Sequence, residues 1–264
     1  MKQVRFGAVS YLNAQPLVCG LERHSRFSVR FDIPSKCATL LHEGAVDVGL
    51  IPSIEYLRGD PSTPYSIVPK LAIASRGPVA SVALYTTKPV SDVRSIAMDV
   101  SSRASVALLH VLCARAFRIQ PVIENCGPDL VGMLAHCDAA LIIGDLALLR
   151  AEPPGIEKID LGDAWTTMTG LPFVYAFWAG RSDALEWEDV EALVEVRDVN
   201  VGRLAGIAQH FFADRRQQSL GANYLRDNIR YDFGDEERAG LETFYRYAAE
   251  VGLVQQTDEL RFYR

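Results

Sequence analysis

Five polar positions stand where a β-rich run gives way to a helical pattern: Asn13, Ser35, Ser53, the pair Ser101-Ser102, and Asp145. Each alone has an ordinary use. A side-chain oxygen at such a junction accepts a bond from a free N–H of the first helical turn, a cap worth about 1 kcal/mol. The set of five points further, because ligands of open α/β folds bind where the strands end. Helix starts there present unbonded N–H groups and the positive end of a dipole, and so hold anions. Arg103, within Ser101-Ser102-Arg103-Ala104-Ser105, adds a guanidinium that either pairs with a carboxylate or lies solvated on its first turn. Asn and Ser are too weakly basic to take a C–H proton unaided. Among these junctions only Asp145 and the adjacent Glu55 are carboxylates. Asp145 reads as a helix cap and Glu55 as a residue of a surface turn.

The elements that must position these residues follow one grammar: strand, small polar residue, helix. Val4 to Val9 is a strand, and Asn13-Ala14-Gln15-Pro16 opens a helix, Pro being tolerated in a first turn. Ser28 to Ile33 alternates, and Pro34-Ser35 precedes Cys37, Leu40 and Leu41 at helical spacing. Val46 to Ile51 is an apolar strand before Pro52-Ser53. Ile96 to Val100 precedes Ser101-Ser102 and a helix carrying Val106, Leu109, Cys113 and Phe117. Ala139 to Ile143 precedes Gly144-Asp145 and a helix from Leu146 to Arg150. Units of this kind predict an α/β fold with parallel sheets under helices. From Leu185 to Phe212 and from Glu236 to Val251 the pattern is helical, with Leu241, Phe244, Tyr245 and Ala248 on one face. Trp165, Trp178 and Trp187 read as packing residues. Two stretches, Arg76 to Pro89 and Gly170 to Gly180, suit chain crossings between lobes. The division they predict is a discontinuous first lobe, residues 1–88 and 172–264, with residues 89–171 inserted as the second. A ligand then lies in the cleft between the lobes.

Composition limits the function classes. The 264 residues fit one large domain or two small ones, at about 150 residues per domain. Acidic residues outnumber basic ones 33 to 27, giving a net charge of −6. An acidic chain without a basic block is a poor nucleic-acid binder, and its overall field repels an anionic ligand. Local devices must therefore hold any anion. No apolar run spans a membrane or follows Met1-Lys2-Gln3-Val4-Arg5 as a secretory core, so a cytoplasmic protein with no membrane partner is expected. The five cysteines include no C-x-x-C pair and read as free thiols. The five histidines show no metal-ligand spacing, so neither a metal nor another cofactor is expected. Phosphate-loop, dinucleotide and nucleophile-elbow motifs are absent. A homodimer is left open.

Several segments carry a resemblance. Gly7-Ala8-Val9-Ser10-Tyr11-Leu12-Asn13-Ala14-Gln15-Pro16-Leu17 resembles the opening of the chorismate dehydratase family of the futalosine route to menaquinone. In order there follow Pro34-Ser35, the run Asp47 to Leu57, Ile73 to Val82, Ser101 to Leu109, Ile143-Gly144-Asp145 and Thr169 to Val174. The resemblance covers nearly the first 180 residues, and the helical tail is generic. One departure is Ala104, where threonine is expected. The resemblance implies a two-lobed fold like that of the type II periplasmic binding proteins, with the ligand cleft between the lobes. It also implies loss of water from chorismate, a small dicarboxylate, to give 3-[(1-carboxyvinyl)oxy]benzoate without a cofactor.

Within that resemblance Asn13 and Ser81 lie near the reacting atoms and orient the substrate. No better base stands among the matched segments, so the substrate's own carboxylate is expected to take the proton. Ser101, Ser102 and Ser105, with the N–H groups around Ala104 and the Arg103 side chain, hold one carboxylate. Ser35 and Ser53 bound the cleft from the first lobe, and Thr169 and Gly170 sit near the returning crossing. Ser10, Val82, Gly144 and Asp145 complete the substrate-binding set. Tyr11 packs on the substrate ring or belongs to the core. Two rivals stand beside this reading. One is the sister enzyme that makes 1,4-dihydroxy-6-naphthoate, whose Ser-Pro-Cys-Pro-Asn-Asp opening is absent here. The other is a non-catalytic solute-binding protein.

Overall fold

The computed structural model describes residues 3–151, 154–255 and 259–264. The chain first lays down β1 (Val4–Val9), β2 (Phe27–Asp32), β3 (Val48–Pro52), β4 (Tyr65–Ile67) and β5 (Ile73–Ser75). Next come β6 (Val82–Thr86), β7 (Ser95–Asp99), β8 (Val122–Cys126), β9 (Ala139–Ile143) and β10 (Glu157–Asp160). A long strand, β11 (Phe173–Arg181), then rejoins the first group. Two sheets result, ordered β2-β1-β3-β11-β4 with β5 also on β11, and β10-β6-β9-β7-β8.

The sheets are mixed rather than parallel as expected. β1 runs parallel to β2 and β3, and β7 to β8 and β9. The strands nearest the crossings run the other way: β11 is antiparallel to β3, β4 and β5, and β6 to β9 and β10. Both join their sheet directly after the chain has crossed, with no helix first to turn it back into a parallel course. This pairing moves the expected boundary. β6 belongs to the second sheet, so the outward crossing lies between β5 and β6, ahead of residue 88. We propose lobes divided at residues 76–81 and 170–172.

Helices cover the sheets. They are α1 (Gln15–Val18), α2 (Pro34–His42), α3 (Arg103–Leu112), α4 (Leu130–His136), α5 (Gly144–Leu149) and α6 (Leu161–Thr169). The tail adds α7 (Trp187–Val201), α8 (Leu204–Phe211), α9 (Arg215–Asp227) and α10 (Asp235–Glu250). The α10 stripe of Leu241, Phe244, Tyr245 and Ala248 is buried as its spacing requires. Phe173 and Phe244 meet edge to face at 4.8 Å, and Phe6 meets Trp178 at 5.4 Å. Trp165 and Trp178 are buried, but Trp187 is 43% exposed at the start of α7. The helical stretch from Leu185 breaks at Gly202 into α7 and α8.

The tail is tied to β5 and to the outward crossing. Arg230 and Ala74 exchange backbone bonds at 2.8 and 2.9 Å, and Asn228 Nδ2 donates to the Pro78 carbonyl at 2.9 Å. Among the described residues no helix is long and apolar enough to cross a membrane.

Candidate active site

A cleft with about 490 Å³ of empty space opens between the two sheets. Asn13 and Tyr11 line it from the first lobe, and Ser81, Val82, Ser102, Ser105 and Gly144 from the second. The rest of the wall is mainly apolar, including Val9, Pro52, Ile73 and Ile143. None of the described lining residues carries a charge. Apolar walls with a few converging polar groups suit a small organic ligand.

Asn13 lies on the single turn Leu12–Ala14 that follows β1. Ser81 stands at the end of the outward crossing, directly before β6. The buried Tyr224 hydroxyl is 2.8 Å from Ser81 Oγ. Burial pushes the Tyr224 hydroxyl well above the usual phenol range, a direction that keeps it protonated. The backbone before Ser81 is strained. Ala80 has φ +62°, a left-handed conformation that side chains other than glycine rarely take. Asp160 holds it there. Its carboxylate accepts from the Val79 and Ala80 N–H groups at 3.0 and 2.6 Å, and it also caps α6 through Gly162 and Asp163.

The Gly144-Asp145 step touches Ser81 and the turn that bears Asn13. Gly144 N–H donates to the Ser81 carbonyl at 2.8 Å. Gly144 has φ +67°, and a Cβ there would stand 3.2 Å from the Tyr11 ring. Glycine thus permits both the backbone and the aromatic contact. The Asp145 carboxylate accepts the Leu12 N–H at 3.2 and 3.4 Å, from the other lobe. It therefore clasps the turn that carries Asn13 rather than capping α5. Burial pushes Asp145 up to about 6, partly opposed by that bond.

At the start of α3, Ser102 Oγ and Ser105 Oγ lie 3.0 Å apart. The first N–H groups of this ten-residue helix, from Arg103 to Ser105, precede any intrahelical acceptor. Ser101 Oγ accepts from the Tyr11 hydroxyl at 3.3 Å, across the lobes. Ser102, though at the cap position, makes no cap bond with its side chain.

Other expected positions fall elsewhere. Arg103 is engaged by Glu55 at 2.7 Å and by Thr39 Oγ1 at 3.2 Å, off the cleft lining. Glu55 is 1% exposed, not on a surface turn, because Arg58, His42 and Arg103 all surround its carboxylate. Burial would raise Glu55, but bonds from His42 and Arg58 and the Arg103 charge hold it at about 2. Ser53 is fully buried; its hydroxyl donates to the Val174 carbonyl at 2.7 Å and its carbonyl accepts from Tyr245. Ser35 gives its N–H to the Ser101 carbonyl at 3.1 Å, and its side chain does not line the cleft. Thr169 Oγ1 bonds the Trp165 carbonyl, and Gly170 ends α6 with φ +72°. Both shape the return crossing without lining the cleft. Ala104 is buried and Ser10 exposed, and neither lines it. Tyr224 and Asp160 went unsuspected in the sequence, where neither is flanked by a motif.

Comparison with known proteins fits this architecture. Residues 4–250 match the family described as menaquinone biosynthesis. The chain is 31% identical over 268 residues to the chorismate dehydratase of Thermus thermophilus, covering 92% of this chain and 94% of that one. Among solved structures, a protein from Archaeoglobus fulgidus superposes with TM-score 0.73 at 17% identity, covering 96% and 98% of the two chains. The periplasmic aliphatic sulphonate binding protein of Escherichia coli gives 0.69 at 16% identity, covering 100% and 92%. The two-lobed fold is that of the periplasmic binding proteins, and the chain belongs to the menaquinone biosynthesis family.

Proposed function

We propose that the protein is a chorismate dehydratase, a hydro-lyase that removes one water from chorismate to give 3-[(1-carboxyvinyl)oxy]benzoate on the futalosine route. The observation that carries this reading is the convergence of Asn13 and Ser81 on an uncharged cleft beside the open N–H groups of α3. The relationship to the Thermus enzyme supports the choice of substrate. A cytoplasmic enzyme acting on a small dicarboxylate, without nucleic acid or membrane, is part of the proposal.

The chemistry needs one proton moved and one C–O bond broken. The ring C–H next to the leaving hydroxyl gives its proton to the substrate's side-chain carboxylate. The freed electron pair forms the new ring double bond, and the hydroxyl departs and takes up the proton as water. Asn13 and Ser81 orient that carboxylate and the hydroxyl. The other carboxylate sits on Ser102, Ser105 and the first N–H groups of α3. With no charged residue lining the cleft, hydrogen bonds to the anion are strengthened by the apolar walls.

Purified protein incubated with chorismate tests the reading by product mass and ultraviolet absorbance. Loss of one water with a new benzoate chromophore is expected. Chorismate bound and released unchanged would make the protein a binder and overturn it.

A further inference from the structure

We propose that Tyr224, from the helical tail, is the positioning residue that aims the Ser81 hydroxyl into the cleft. Three observations carry this. First, its buried phenolic oxygen stands 2.8 Å from Ser81 Oγ. Second, Ser81 lines the cleft while Tyr224 does not, so it acts through the serine. Third, α9 is shaped to put it there. Gly221, one turn earlier on the same face, lets the helix come close: a Cβ would stand 3.0 Å from Leu12 Cδ2 and 2.9 Å from Phe212 Cε2, so those side chains would have to shift. Leu12 directly precedes Asn13, so this close approach seats the helix under the turn that bears it.

The 2.8 Å bond ties the Ser81 hydroxyl to a buried phenol behind the cleft wall, so the tail, generic in sequence, fixes the orientation of a side chain that faces the ligand. The inference rests on the dehydratase reading for its chemistry, but its geometry does not.

Tyr224→Phe keeps the ring and removes only the hydroxyl. Tyr245→Phe is the control, since that equally buried hydroxyl bonds the Ser53 carbonyl at 2.6 Å, away from the cleft. With chorismate, Y224F is expected to lose about 10- to 100-fold in kcat with KM changed less than about threefold, while Y245F keeps its kcat. High-resolution crystal structures of wild type and Y224F supply an arm that needs no turnover. Ser81 is expected in one rotamer in the wild type and in more than one in Y224F. If the wild type turns chorismate over, kcat decides: a Y224F value equal to that of Y245F overturns the inference. If it does not, the dehydratase reading fails, and the rotamers decide. An unchanged single rotamer of Ser81 in Y224F then overturns the role of Tyr224.

Discussion

The guanidinium of Arg103 and the carboxylate of Glu55 meet at 2.7 Å, and they belong to different lobes. Glu55 follows β3 of the first sheet, and Arg103 opens the helix after β7 of the second. The charge that sequence alone offered to the substrate is thus spent on joining the lobes. Glu55 has an ordinary value of 4.5 and is held at about 2 in the fold. A depressed carboxylate stabilises above its unfolded value and loses that contribution as pH falls through the folded one. Glu55→Gln is therefore expected to be less stable than wild type near neutral pH, by on the order of 3 kcal/mol. The gap should close between about pH 4.5 and about pH 2, a window followed by urea unfolding of both proteins. A gap that does not change with pH would disconnect the effect from ionisation.

Asp145 carries the opposite sign. Its value rises from 3.8 to about 6, so the folded state holds its proton more tightly than the unfolded chain. Wild-type stability then falls as pH rises through that window. Asp145→Asn removes the ionisation and keeps an oxygen for the Leu12 N–H. Relative to wild type, the variant's melting temperature should be higher at about pH 8 than at about pH 4. Equal differences at both values would mean that burial does not disfavour this carboxylate.

Gly144 couples the backbone of the second lobe to Tyr11 of the first. Alanine there adds left-handed strain of about 1–2 kcal/mol. It also pushes a methyl group to within 3.2 Å of the Tyr11 ring. Gly144→Ala should lower the melting temperature and raise KM for chorismate several-fold, because Tyr11 lines the cleft. An unchanged KM would remove Tyr11 from substrate contact.

Ser53 and Ser81 separate structure from chemistry. Both are buried serines beside a strand end, but only Ser81 lines the cleft. Ser53→Ala leaves the Val174 carbonyl without its 2.7 Å donor and should lower stability by about 1–3 kcal/mol with kcat unchanged. Ser81→Ala leaves the buried Tyr224 hydroxyl without its 2.8 Å partner, so it should lower stability by a similar amount and, unlike Ser53→Ala, also lose at least about tenfold in kcat. Denaturant melts and steady-state rates on the same preparations read both.

Much of the first lobe and the core of the second can be read in sequence because their strands are continuous apolar runs. Val4–Val9 and Ala139–Ile143 fall where the pattern has them, and α3 begins straight after Ser102. Asn13, Ser81, Ser102, Ser105 and Gly144 reach one cleft for the same reason: each stands at a strand end or helix start. What periodicity does not carry is direction and partner. Asp145 looks like a cap because it follows a strand, but α5 already begins at Gly144 and the carboxylate turns to Leu12. Ser53 and Thr169 look like site residues, yet their hydroxyls bond carbonyls of β11 and of α6, respectively. Tyr224 stood least chance of detection. α9 buries only Gly221, Tyr224 and Leu225, too few to form an apolar stripe, and its contact to Ser81 spans 143 residues. Asp160 likewise holds Ala80 from 80 residues away.

The most direct test of the proposed chemistry sets Asn13→Ala beside Asp145→Asn in single-turnover reactions with chorismate. If the substrate's carboxylate takes the proton and Asn13 orients it, Asn13→Ala should fall at least about a hundredfold while Asp145→Asn stays within about tenfold of wild type. A near-wild-type rate for Asn13→Ala, or an Asp145→Asn enzyme that binds chorismate normally and turns over more than about a hundredfold slower, would contradict it.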